Sequence, residues 1–290
     1  RAIYAEMRKS NATPNGGVFI SMAHLGPDHV AKKFKGMVQR CADCGFDLAG
    51  GQVEVVPTAH YMMGGVVVDV ETRTSLEGLY VAGEDAGGAH GSNRLGGNGV
   101  ANSTVFGGIA GDIMGRDVSG MSLREPDEDV LAAEVDRARH PFAKSVAPVQ
   151  PLRRALQEAM WDDVGVIRTD SGLRRGLQRL ERLRSDLMDT GVDDSNLAFN
   201  LTWHDWLNMA SLVDVSEVIT RASLTRENSR GAHFREDFQD QGDLEESYFT
   251  VAGRSGDEIT LSRAPVQFSI VRPHETILSD DEPETLVAAE

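Results

Sequence analysis

At 290 residues with 40% hydrophobic side chains, the chain is long enough for two domains with filled cores. Lys plus Arg number 29 against 45 Asp plus Glu, and the net charge of −16 leaves no broad basic face for a nucleic-acid backbone or an anionic membrane. No apolar run approaches the roughly 18 residues of a membrane span, and the first residues lack the basic-then-apolar layout of a signal peptide, so a cytoplasmic protein is expected.

In chain order, the residues from Arg1 already carry a helical pattern without an initiator Met, which gives the expectation of a longer parent sequence. Asn15-Gly16-Gly17 before Val18-Phe19-Ile20 predicts a turn and a short strand, and Asp28 is the expected N-cap of the next helix. Lys33 to Cys44 predicts a helix with Phe34, Val38 and Cys41 on one face. The Cys41-Ala42-Asp43-Cys44 spacing would suit a redox pair or half a zinc site, but no second such pair follows, so no metal is assigned and Cys41 is read as packed. Val53 to Val56 reads as a strand closed by Pro57, and Val66 to Val70 as a further strand or hairpin arm before the loop at Glu71.

Leu79-Tyr80-Val81-Ala82-Gly83 predicts a buried strand whose carboxyl end faces a ligand crevice. From Asn98 to about Asp112 a helix rich in small residues is expected, with its amino terminus pointing N–H groups at whatever lies beside Gly96 to Gly99. Residues 117 to 130 have linker composition. Helical periodicity then takes over: Val149 to Val164 with Met160 and Trp161 as core, a segment opened by Thr169 with Leu173, Leu177, Leu180, Leu183 and Leu187 largely on one face, and Leu197 to Thr225. Strands are expected at Ser247–Ala252, Ile259–Leu261 and Val266–Val271.

Three blocks in this order carry chemistry. His60-Tyr61-Met62-Met63-Gly64-Gly65, the Leu79–Glu84 segment and His90-Gly91-Ser92-Asn93-Arg94-Leu95-Gly96-Gly97-Asn98 resemble the flavoprotein subunit of succinate dehydrogenase and fumarate reductase. The likeness continues through Met160-Trp161-Asp162-Asp163 and Ser229-Arg230-Gly231-Ala232-His233-Phe234-Arg235-Glu236-Asp237-Phe238, so it spans most of the chain. It implies an α/β FAD-binding domain remnant with the end of a capping domain, followed by an α-helical bundle C-terminal domain with a short β-rich tail. In residue ranges, 1–48 would end the capping domain, 49–116 would be the C-terminal part of the FAD-binding domain, and 126–290 the helical C-terminal domain. The G-x-G-x-x-G turn that grips the FAD diphosphate in this family is not found, and Arg1 is taken as a neighbour of the family's proton-transferring arginine.

The resemblance places the substrate-carboxylate ligands at His60 and Arg94, where a guanidinium can take a carboxylate in two parallel hydrogen bonds. It assigns FAD contacts to Gly83, Glu84, Gly96, Gly97, Asn98, Gly99 and Val100; Gly99 stands where the family usually has Ser, which removes one hydroxyl. The residues alone also admit a packed histidine at His60, an ion pair of Arg94 with Glu84 or Asp85, and a loop carboxylate at Glu84. His90 is read as structural, and Arg230 and His233 as packing and inter-domain contacts. The implied activity is FAD-dependent interconversion of succinate and fumarate in the tricarboxylic acid cycle and electron transport. Electrons would pass to an iron–sulfur subunit, with membrane-anchor subunits reached through that partner and a peripheral cytoplasmic location. L-aspartate oxidase is the nearest alternative, although its motif has Cys where Met63 stands; as an isolated piece, expected to be inactive by itself, the chain could also be a non-catalytic assembly module.

Overall fold

The computed structural model describes residues 1–256 and 258–276, and the final stretch of the domain expected over 126–290 lies outside them. Two compact units are formed, Arg1–Tyr61 and the described residues from Met62 onward.

In the first unit, helix α1 (Ala2–Glu6) runs into a π-helical turn over Met7–Asn11. Strand β1 (Val18–Ile20) follows, then α2 (Pro27–Lys33), α3 (Lys35–Asp43) and β2 (Val53–Val55). β1 and β2 pair antiparallel with Val18 opposite Val55 and Ile20 opposite Val53. A small core of Val30, Leu48 and Val53 is closed by Phe34, Val38, Cys41 and Phe46, so the expected apolar face of the Lys33–Cys44 segment is present. The helix itself is broken at Phe34, whose φ of −114° and ψ of 34° separate α2 from α3. Asp28 is not the cap: Pro27 occupies the first turn behind Gly26, and Asp28 instead places its charge by the positive helix end.

The second unit begins with an irregular stretch that reaches α4 (Asn98–Val118), longer than the sequence pattern indicated. The strand expected over Val66–Val70 is reduced to a single bridge between Val66 and Ala86. Asp69 is the cause, because its carboxylate accepts from the N–H groups of Glu71 (2.8 Å) and Arg73 (2.9 Å) and turns the chain back on itself. Nor is Leu79–Gly83 a buried strand. It pairs along one edge only, Val81 N–H to the Thr72 carbonyl at 3.0 Å and Thr74 N–H to the Leu79 carbonyl at 3.0 Å, and Leu79 is largely exposed. The loop so formed is tied to the end of α4, where Asp117 accepts from Tyr80 (2.7 Å) and Arg73 (2.8 Å), and the Tyr80 hydroxyl, then Arg73, hold the Asp117 carboxyl below its usual range.

Helix α5 (Glu128–Arg139) starts at Asp127, whose carboxylate accepts from the N–H of Asp129 and Val130. Three helices then share one core: α6 (Gln150–Asp162), α7 (Asp170–Met188) and α8 (Leu201–Thr225). Leu180, Leu183 and Leu187 from α7 meet Leu156 from α6 and Trp206, Met209 and Val213 from α8. Thr169 and Asn200 cap α7 and α8 through their side-chain oxygens. Trp161 is only half-buried; the indole at the centre is Trp206, which donates to the Leu187 carbonyl at 3.0 Å. Buried Asp163, just past α6, is held by Arg175 (3.0 Å) and Arg179 (3.1 Å) of α7, so each of its carboxylate oxygens has a partner.

The tail is an antiparallel hairpin of β3 (Tyr248–Ser255) and β4 (Glu258–Pro265). The strand expected at Val266–Val271 does not form. One further bond, Val266 N–H to the Ser247 carbonyl at 2.8 Å, extends the ladder, but ahead of Ser247 the chain turns away through a bond from the Ser247 hydroxyl to the Leu244 carbonyl at 2.5 Å, which leaves no partner strand.

Candidate active site

The second half of the His60–Gly65 block lies along the turn that carries Glu84. Val66 N–H donates to the Asp85 carbonyl (2.7 Å), Gly87 N–H to the Val66 carbonyl (2.9 Å), and Met62 N–H to Glu84 Oε1 (2.8 Å). Glu84 does not end a strand; Gly83–Asp85 form a 3-10 turn that lifts its carboxylate to the surface. His60 is exposed and belongs to the first unit, one residue before its end at Tyr61.

Asn102, buried on α4, joins three of the predicted segments. Its amide nitrogen stands 3.1 Å from the Gly83 carbonyl and 3.1 Å from His90 Nε2. An amide nitrogen only donates, so His90 Nε2 accepts and its proton sits on Nδ1. The structural reading of His90 therefore has a physical basis: it and Asn102 fix the 83–90 segment against the helix. Sequence reading did not single out Asn102. Its only signal was an amide among small residues.

Helix α4 opens at Gly97, whose φ of 80° lets the chain enter the helix, and no side chain caps it. The first-turn N–H groups thus keep hydrogen-bonding capacity and a partial positive charge. Gly96, Gly97 and Asn98 are exposed and Gly99 is half-buried. Val100 is 78% exposed, and no atom lies within 4 Å of where a Cβ on Gly97, Gly107 or Gly108 would stand. This bare backbone and apolar face fit a flat ring system, and the exposed Glu84 carboxylate nearby in the fold fits hydroxyl recognition. Arg94, half-buried, leads into this helix and donates through Nη1 to the Leu95 carbonyl at 3.0 Å.

Behind the Arg94 loop lies a cluster of cations around His233, a residue expected to serve packing and inter-domain contacts. Arg168 Nη1 is 3.2 Å from His233 Nδ1, and His233 Nε2 is 3.3 Å from the Arg226 carbonyl. Burial, reinforced by the charge of Arg168, pushes the His233 imidazole down to about 4. Arg235, 1% exposed, forks onto Asp237 at 2.7 and 2.9 Å and caps α8 by donating to the carbonyls of Ser223 (3.0 Å) and Leu224 (3.1 Å). Asp237 is held at about 2, first by Arg235.

A pH dependence follows from His233. Its folded value lies below the unfolded value of about 6.5, so the stability it contributes is complete above that pH and declines as pH falls through about 4. With partial exposure allowed for, the loss is on the order of 2 kcal/mol. A His233→Gln variant, which keeps one donor and one acceptor but does not titrate, should show a flatter decline in urea midpoint between these limits. An identical slope in both proteins would refute the assignment.

Comparison with known proteins shows two family matches: residues 1–100 to the FAD binding domain and residues 153–277 to the fumarate reductase flavoprotein C-terminal domain. One component of the fumarate reductase (CoM/CoB) of Methanothermobacter marburgensis is 37% identical over 239 residues, 82% of this chain and 43% of that protein. L-aspartate oxidase 1 of Ralstonia nicotianae is 33% identical over 82% of this chain and 42% of its own length. Among solved structures, Mycobacterium smegmatis Sdh1 in complex with UQ1 superposes with a TM-score of 0.83 at 30% identity, covering 93% of this chain and 47% of that one. The chain spans less than half the length of each of these proteins.

Proposed function

Because the chain belongs to the succinate dehydrogenase and fumarate reductase flavoprotein family, whose cofactor is FAD, we propose that it forms part of a flavoenzyme that interconverts succinate and fumarate. One observation carries this reading. The His60–Gly65 and Gly83–Gly99 blocks fall inside the FAD-binding match, and Met160-Trp161 and Ser229–Phe238 fall inside the fumarate reductase flavoprotein match that follows it.

Bound FAD supplies hydride exchange with a substrate carbon. The residues here hold and orient. Arg94 offers a planar fork to one carboxylate and His60 a charge-assisted bond, each such bond contributing about 1.5–3 kcal/mol. Alignment of the diacid, rather than affinity alone, accounts for most of the rate they provide. Gly83 and Glu84 would meet the ribose hydroxyls, while Gly96, Gly97, Asn98, Gly99 and Val100 would lie against the ring, where the N–H groups at the start of α4 favour negative charge. An iron–sulfur subunit is the proposed electron partner, with any membrane attachment made through it. Among the described residues no helix is long and apolar enough to cross a membrane.

The complete flavoprotein should purify with the absorbance of bound flavin and oxidise a reduced dye in the presence of fumarate. Protein that is free of flavin, or that shows no fumarate-dependent turnover, would refute the proposal. The similarity to an L-aspartate oxidase supports a second reading in the same site. Aspartate-dependent peroxide production without fumarate turnover would favour it.

A further inference from the structure

The loop that carries Arg94 is held from the far end of the chain. The Ser92 carbonyl accepts a hydrogen bond from the backbone N–H of Ala232 at 2.9 Å. Ala232 belongs to a tight turn in which Arg230 and His233 exchange both backbone bonds, each 2.9 Å long. Between them Gly231 has φ of +52°, and a Cβ placed there would stand 2.3 Å from the Ser92 carbonyl oxygen. No other residue fits without moving the loop.

The turn is fixed on both flanks. Arg230 donates to the carbonyls of Gln241 (2.5 Å) and Asp243 (2.6 Å) and to the Ser247 hydroxyl (2.7 Å). At the other end Arg168 can only donate, so His233 Nδ1 accepts from it, and Nε2 carries the proton to the Arg226 carbonyl. The neutral imidazole is the one form that satisfies both neighbours. A second proton would set an N–H against the Arg168 guanidinium, with Arg226 and Arg235 close by.

We propose that the Arg230–His233 turn is a positioning element for substrate recognition: by gripping the Ser92 carbonyl it sets the direction of Arg94, so that Gly231 and His233 govern dicarboxylate binding without touching the dicarboxylate. The inference rests on the dicarboxylate reading given above. Main-chain atoms make the grip, so it transmits a displacement of the turn directly to the loop two residues before Arg94.

The test uses the complete flavoprotein loaded with FAD and malonate as probe, with its dissociation constant read from the change in flavin absorbance and with flavin content and melting temperature measured alongside. Gly231→Ala should weaken malonate binding about tenfold or more while flavin content stays at the wild-type level. His233→Leu, which removes both ring contacts, should do the same, and His233→Gln, which can replace both, should restore binding to within about threefold of wild type. The Leu and Gln pair keeps the test decisive should the alanine variant fail to fold. Flavin-replete Gly231→Ala or His233→Leu protein that binds malonate as wild type does, alongside an Arg94→Ala variant that does not, overturns the positioning role alone. If Arg94→Ala leaves malonate binding unchanged, the dicarboxylate reading fails and the positioning role falls with it.

Discussion

Replacing Arg94 with alanine in the complete flavoprotein should lower fumarate turnover, as kcat/KM, by about a hundredfold to a thousandfold while the purified protein keeps its flavin. Loss of a two-pronged guanidinium removes two charge-assisted bonds, together about 3–4 kcal/mol of stabilisation. Arg94→Lys should recover only part of the loss, because an ammonium presents a point charge and not a fork. The flavin should stay because the groups proposed to hold it, from Glu84 to the first turn of α4, do not use this side chain. Unaltered kinetics would remove Arg94 from the site, and loss of flavin along with activity would reassign it to cofactor binding.

Arg235→Leu should destabilise the fold by about 2–4 kcal/mol, or roughly 10 °C in Tm, because the buried guanidinium's bonds to two carbonyls at the end of α8 and to the partly exposed Asp237 are lost together. The guanidinium is 1% exposed, forks onto Asp237 and covers two carbonyls at the end of α8. Removing it leaves the Asp237 carboxylate with backbone bonds alone, among them that from the Asp170 N–H at 2.7 Å, and reopens the helix end. Arg174, whose partner Asp170 is half-exposed on the same helix, gives the contrast: Arg174→Ala should cost under about 1 kcal/mol. A urea midpoint for Arg235→Leu within the range of the Arg174 variant would contradict the argument.

The sequence disclosed best what periodicity and capping encode. Leu180, Leu183 and Leu187 of α7 face the shared core as their spacing indicated, and Thr169 caps that helix. The strands β1 and β2 each followed from short apolar runs bounded by a glycine turn or a proline, although their pairing did not. What periodicity cannot see is pairing. Val66–Val70 and Leu79–Gly83 have the composition of strands, but Asp69 bends the first and the second finds a neighbour along one edge. In the candidate site, the segments were legible because their residue types are chemically unusual together. The links between them were not: the bonds of Asn102 to Gly83 and His90, and of Ala232 to Ser92, join positions with no local signature.

The bond between Ala232 and Ser92 also has a consequence in time. A ribosome delivers the Arg94 loop long before the segment that secures it, and closure over such a sequence separation is slow relative to local helix formation. Until the segment around Ala232 has emerged and docked, the bond to Ser92 cannot form, so any recognition that depends on the secured loop would mature only after that segment is made.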